Sequence, residues 1–410
     1  MKPNTSIWKP FTIAGSGNQP VKIVSGKGLY LRTEDERSLM DLVSSWWVNL
    51  HGHAHPHIAK AIADQARSLE HVIFADFTHD PAEKLADRLI ASSRNEFAKV
   101  FFSDNGSTAV EVALKIALQY WTNVGISGRN KIISFEGAYH GDTFGAMSAS
   151  ATSVFNKAFS DHMFETLRVG YPQTWIGDGD RTEKEDQILK QVRFMLEMES
   201  DKIAALIIEP LIQGAGGMRM CSTEFIANLV ALVRSYGVLV IFDEVMTGFG
   251  RTGSMFAYQQ CGIVPDIICL SKGITGGFMP FAVTMTTENI FNAFDVPLAE
   301  KTFWHGHSYT ANPLGCAAAL ASLELLADAT ESYSSMDKIH ESGWELIKNS
   351  GRAIHGRICG TILAFDVVTE DSEKGYLSSI GTEFKRRALE FDMLLRPLGN
   401  VVYLMPPYCI

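Results

Sequence analysis

The chain has 410 residues, 46% hydrophobic and 20% charged, the balance of a globular protein large enough for two domains or for one large domain with a smaller lobe. A net charge of −10 argues against a nucleic-acid partner, which needs concentrated basic surface, but leaves room for a local cationic pocket. No apolar run reaches the roughly 18 residues of a spanning helix, and residues 1–6 lack the apolar stretch of a secretory signal.

The six cysteines (Cys221, Cys261, Cys269, Cys316, Cys359 and Cys409) are scattered without a CxxC pair, which predicts reduced thiols in a cytoplasm rather than a disulfide framework or a zinc site. Near the N-terminus, His51-Gly52-His53-Ala54-His55-Pro56-His57 raises the question of a metal, since alternate histidines on a strand share a face. Pro56 breaks any such strand and no cysteine or carboxylate group completes a ligand set nearby, so no metal centre is expected there or at His305-Gly306-His307.

From about residue 97 to 285, short apolar runs alternate with helical stretches. The runs are Val100-Phe101-Phe102, Lys131-Ile132-Ile133-Ser134-Phe135, Ala204-Ala205-Leu206-Ile207-Ile208, Val238-Leu239-Val240-Ile241-Phe242 and Ile267-Ile268-Cys269-Leu270. Strands that are apolar throughout predict a mostly parallel sheet covered on both faces, with ligands beyond the carboxyl ends of its strands. Ser103, Asp104, Glu209, Asp243 and Lys272 all fall at such ends.

Four of these ends carry distinct chemistry. After the first run, Ser103-Asp104-Asn105-Gly106-Ser107-Thr108 leads into a helical pattern, so Gly106 and Ser107 suit a phosphate at a helix N-terminus; the plainer alternative is a helix capped by Ser107 or Asp104. After the second, Tyr139 in Glu136-Gly137-Ala138-Tyr139-His140-Gly141-Asp142-Thr143 is placed to stack on a flat ring, or simply to pack. Asp243 and Lys272 close two further runs, and a lysine for a Schiff base with an acid for a pyridinium nitrogen is what a pyridoxal phosphate enzyme requires. Taken singly, they read as a helix N-cap and a surface lysine.

Gly248-Phe249-Gly250-Arg251-Thr252-Gly253 matches GxGxxG, but five residues separate it from the strand and it opens no helix, so a dinucleotide site is not expected. Arg251 fits better as a carboxylate or structural partner near the pocket. The stretch Leu314 to Ala327 is helical and Val401-Val402-Tyr403-Leu404 strand-like. The expected division is an N-terminal segment 1–58 that joins the small lobe, a large domain 59–310 and a C-terminal small domain 311–410.

The run from Ile241 to Gly253, with Pro265-Asp266 and Ser271-Lys272-Gly273, resembles the class III aminotransferases, pyridoxal phosphate enzymes of fold type I, and the likeness extends along nearly the whole chain. The resemblance implies an α/β fold with a large, mostly parallel, helix-covered sheet and a smaller α+β lobe. Within the class, Trp8-Lys9-Pro10-Phe11-Thr12, Ser44-Ser45-Trp46-Trp47, Tyr139 to Ala146, Gln213 to Met218, Arg396-Pro397-Leu398-Gly399 and Tyr403 to Tyr408 resemble the biotin-pathway branch, which aminates 8-amino-7-oxononanoate.

That likeness implies Lys272 as the Schiff-base and proton-transfer lysine, Asp243 at the pyridine nitrogen, Tyr139 and Val245 on opposite ring faces, and Gly106 and Ser107 on the phosphate. Ser308 would reach the phosphate from a neighbouring subunit of a homodimer. Trp46, Tyr139, Lys272, Gly306 and Arg396 would contact substrate, with Arg396 on the acceptor carboxylate. Two departures stand out. Phe11 occupies a position where the S-adenosylmethionine-using members carry tyrosine, which leaves S-adenosylmethionine and lysine both open as amino donor. The chain also ends at Ile410, where the class usually continues into a closing helix. Another ω-aminotransferase, acting on 4-aminobutyrate or ornithine, and an aminomutase share the cofactor residues.

Overall fold

The structure is a computed structural model in which residues 6–13, 20–153, 155–369 and 378–410 are described. In the N-terminal segment, β1 (Ile23–Lys27), β2 (Tyr30–Thr33) and β3 (Ser38–Asp41) form an antiparallel meander. A large sheet then takes up β4 (Lys99–Ser103), β5 (Lys131–Phe135), β6 (Leu167–Val169) and β7 (Ile203–Ile208). After a small hairpin, β8 (Ile212–Gln213) and β9 (Arg219–Met220), it is completed by β10 (Leu239–Asp243), β11 (Ile267–Leu270) and β12 (Ala282–Thr286). Near the C-terminus β13 (Ala353–Cys359) and β14 (Ile362–Val367) pair, β15 (Met393–Leu394) runs parallel to β3, and β16 (Val401–Leu404) returns to β14.

The large sheet has the order β4-β12-β11-β10-β7-β5-β6, with β12 antiparallel to its neighbours. Side chains alternate between its faces, so the apolar runs supply two cores at once. Leu206, Ile208, Val240, Phe242, Ile268 and Leu270 join one hydrophobic cluster; Ala205, Ile207, Leu239, Ile241, Ile267 and Cys269 join the other. The helix Gly106–Asn123 covers the second face with Val110, Ala113 and Ala117, and Thr223–Ser235 covers the first with Phe225, Leu229 and Val233.

The five apolar runs are strands of this sheet. The sequence does not announce β12, because Thr284 and Thr286 interrupt its apolar pattern. Both are buried, and Thr284 Oγ1 satisfies itself by donating to the Ala109 carbonyl at 2.8 Å. The helix Pro313–Asp328 follows the expected 310/311 boundary, yet its Cys316, Ala319, Leu323 and Leu326 belong to the core of the large sheet.

Arg251 ties three distant segments together. It is 1% exposed, donates from Nη1 to the Pro406 carbonyl at 2.8 Å and from Nη2 to the Asn49 carbonyl at 3.0 Å, and its guanidinium carbon sits 5.2 Å from the Tyr408 ring centroid. Its own carbonyl accepts from the Thr361 N–H and hydroxyl. Of the two roles the sequence offered, the structure assigns the structural one. Arg251→Met should therefore strand two buried carbonyls and cost roughly 3 kcal/mol or more, measured as a fall in the urea midpoint of unfolding.

Candidate active site

The carboxyl ends of β4, β5, β7, β10 and β11 converge on a cavity of about 190 Å³ lined by Gly106, Ser107, Tyr139, His140, Glu209, Asp243, Val245 and Lys272, with Trp47 and Met246 above. Register explains the convergence: Asp243 pairs with Cys269, so Lys272 arrives three residues past the level of the carboxylate on the adjacent strand. Its backbone is in the left-handed region (φ 47°), the turn that brings the strand end back across the crevice.

Lys272 is surrounded by protein. Burial lowers its ammonium pKa to about 8, against the opposing pull of Asp243 and Glu209, and Nζ lies 4.6 Å from the Trp47 ring centroid. Asp243 is 4% exposed; Oδ1 accepts the Val245 N–H at 3.0 Å and Oδ2 lies 2.7 Å from His140 Nδ1. His140 Nε2 is buried without a partner.

Glu209 is a second buried carboxyl, raised to about 7 by desolvation; it accepts the N–H groups of Tyr139 at 3.2 Å and Gly214 at 3.0 Å. Sequence reading placed Glu209 at a strand end without a role and missed His140, whose only signal was its place directly after Tyr139.

At the opposite side, the helix Gly106–Asn123 is capped by Asn105, whose side chain accepts from the Thr108 N–H, rather than by Asp104 or Ser107. Ser107 Oγ instead accepts the Asp142 N–H at 3.1 Å and faces the cavity. Two glycines keep this corner open: a Cβ on Gly106 would lie 2.7 Å from Val245 Cγ1, and one on Gly141 would lie 2.1 Å from Ser107 Oγ. The Tyr139 hydroxyl donates to Asp142 Oδ2 at 2.8 Å, which holds its ring; burial leads the rise in its pKa.

Other predicted site residues lie outside this cavity. Arg396 has its guanidinium carbon 4.1 Å from the Trp46 ring centroid, and Trp46 meets Phe11 edge-on at 5.3 Å. The parallel pairing of β15 with β3 brings these distant segments together. Gly306 and Ser308 are exposed and do not line the cavity of their own chain. The histidines near the N-terminus take separate partners, His51 with Ser322, His53 with Asp41 and His57 with Glu324. Among the described residues no three His, Cys, Asp or Glu side chains are grouped to hold a metal, and no helix is long and apolar enough to cross a membrane.

The family profile described as aminotransferase class-III matches residues 12–410. The chain belongs to the class-III aminotransferases. It is 52% identical over 410 residues to an adenosylmethionine-8-amino-7-oxononanoate aminotransferase of Synechococcus elongatus, covering 100% of this chain and 96% of that one. A protein of the same name from Geobacter sulfurreducens is 38% identical, with 98% and 92% covered.

Among solved structures, the same named enzyme from Methanocaldococcus jannaschii superposes with a TM-score of 0.91 at 33% identity, covering 99% of this chain and 93% of that one. An amine transaminase from an uncultivated Pseudomonas species, solved with pyridoxal phosphate bound, gives 0.93 at 29% identity, with 100% and 96% covered.

The cavity fits pyridoxal phosphate. It offers an amine at one end, a helix N-terminus with a hydroxyl at the other, a carboxylate backed by an imidazole, and glycines where a Cβ would obstruct it. Because the attacking form is the neutral amine, attachment of pyridoxal phosphate to the cofactor-free protein should accelerate as pH rises through about 8, the value to which burial brings Lys272. Borohydride trapping followed by mass spectrometry measures it. Lys272→Ala should trap nothing, and a rise centred near the ordinary lysine value would show that the amine is not desolvated.

Proposed function

We propose that the chain transfers an amino group to 8-amino-7-oxononanoate to give 7,8-diaminononanoate, the step named in its relatives and a part of biotin biosynthesis. The observation that carries this reading is 52% identity along the whole chain to a relative of that name, together with a crevice whose ionisable groups suit the chemistry.

When bound, pyridoxal phosphate supplies an electron sink for the bonds to the amine-bearing carbon. The protein does the rest. Asp243, oriented by the Val245 N–H and His140, holds negative charge where the ring nitrogen must stay protonated. Tyr139, pinned by Asp142 and by Glu209 through its own N–H, and Val245 would confine the ring. Gly106 and Ser107 receive the phosphate. Lys272, poised by burial near neutrality, moves the proton to and from the substrate carbon.

Beyond the ring, Trp46 and Arg396 offer an aromatic wall and a guanidinium fork for the acceptor's terminal carboxylate. Ser308 and Gly306, exposed on their own chain, fit contributions to the site of a second subunit, which makes the working unit a homodimer. The expected place of action is the cytoplasm. The partners are the acceptor and an amino donor, S-adenosylmethionine or lysine. Phe11 brings a bare ring against Trp46 and Phe155 where a hydroxyl would distinguish the donors, so lysine remains a live alternative.

A donor screen with 8-amino-7-oxononanoate as acceptor tests the reaction; diamine formation is expected, and none with any donor would refute it. Asp243→Asn should keep the fold and lose at least about a hundredfold in turnover, on the scale of other preorganised electrostatic groups. Arg396→Ala should weaken the acceptor by about 1.5–3 kcal/mol, the range of a hydrogen bond to a charged group, while the donor half-reaction changes far less. Equal losses in both half-reactions would make Arg396 a structural residue.

A further inference from the structure

A larger cavity of about 720 Å³ adjoins the cofactor crevice and shares Tyr139 and Gly141 with it. Its size is that of a small-molecule site. Its lining includes the apolar side chains of Met147, Phe155, Ala215, Leu398 and Val401, with Asp142 beside the Tyr139 hydroxyl. It is also lined by two guanidinium groups, Arg219 at the start of β9 and Arg357 in β13.

Arg357 is 7% exposed; Nη2 donates to Asp366 Oδ1 at 2.7 Å, while Nε is buried with no partner. Asp366 cannot serve a second arginine well, because its other oxygen is held by His355 at 2.9 Å. Among the described residues Arg219 has no carboxylate within ion-pair distance, and it donates only to the Glu136 carbonyl, at 3.4 Å. Burial, aided by the Arg357 charge and opposed by Glu136, lowers its pKa. Glu136 compensates this half-buried cation only in part, so an added anion would be favourable there. Arg396 lines neither cavity.

We propose that Arg219, backed by Arg357, is a second carboxylate-binding pole of the substrate cavity. It takes the terminal carboxylate of an aliphatic substrate whose reacting group lies several carbons away at Lys272, with the apolar walls along the chain between. The inference rests on the transaminase reading and deepens it. The carboxylate comes from the acceptor or from a donor that reacts through its far amine.

The probe is nonanoate, compared with its uncharged analogue nonanamide, binding to the cofactor-loaded enzyme by calorimetry. The wild type should prefer nonanoate by at least tenfold. Arg219→Gln, or Arg219→Met should the first not fold, should reduce that preference at least threefold with an unchanged thermal midpoint, leaving the share that Arg396 supplies, and Arg219→Lys should restore part of it. In half-reactions, Arg219→Gln should raise KM at least tenfold for one substrate only, with kcat within about threefold; which substrate responds identifies the source.

An unchanged preference in both Arg219 variants, or its complete loss in Arg396→Ala alone, would overturn the proposal. So would equal losses in both half-reactions accompanied by a lower thermal midpoint. Failure of the wild type to aminate 8-amino-7-oxononanoate would instead refute the reaction assignment, since the nonanoate comparison does not depend on turnover.

Discussion

A parallel sheet covered on both faces has nowhere to put a charged group except at its strand ends, and that constraint organises the whole molecule. β7, β10 and β11 are buried along their full length and feed two separate cores. Charge therefore appears only where each strand leaves the sheet. Glu209, Asp243 and Lys272 follow three neighbouring strands and meet in one crevice because those strands are in register and parallel.

Gathering an amine and two carboxyls out of water has an electrostatic consequence. Desolvation pushes two of them toward their neutral forms: Lys272 falls to about 8 and Glu209 rises to about 7. An N–H and an imidazole hold the two oxygens of Asp243, so its orientation is fixed by direct hydrogen bonds. Glu244, its neighbour in sequence, points away from the crevice and is also raised to about 7 by burial, while it accepts the Ala257 and Tyr258 N–H groups. One dipeptide thus supplies an acid that faces the crevice and one that bonds backbone N–H groups away from it.

The second layer of organisation is the docking of both chain ends onto the sheet. Arg251 bonds carbonyls of Asn49 and Pro406, and Trp47 Nε1 donates to the Tyr403 hydroxyl at 2.8 Å. Backbone strain collects at the same place. Ser44, Ser45 and Trp47 all have positive φ, stabilised by Asp41, which accepts from the Val43 and Ser45 N–H groups and the Ser45 hydroxyl. This anchored bend sets Trp47 over Lys272 and leaves Trp46 facing Arg396.

The sequence by itself determined five of the large sheet's seven strands and the residues at their ends. Short apolar runs rich in β-branched and aromatic residues, alternating with helical stretches, suit strands covered on both faces, and the residues that follow each run lie at the sheet's edge. Lys272, Asp243, Tyr139, Gly106 and Ser107 were legible for that reason. β12 was not, because a buried threonine that bonds a helix carbonyl looks polar in the sequence. His140 and Arg219 were not either, since their significance lies in what faces them: a carboxylate 103 positions away in one case and a cavity lined by residues from distant parts of the chain in the other. The pairing of β15 with β3, which brings Arg396 to Trp46, spans most of the chain and leaves no local pattern. Local periodicity fixes where a strand ends; only long-range packing decides which side chains meet there.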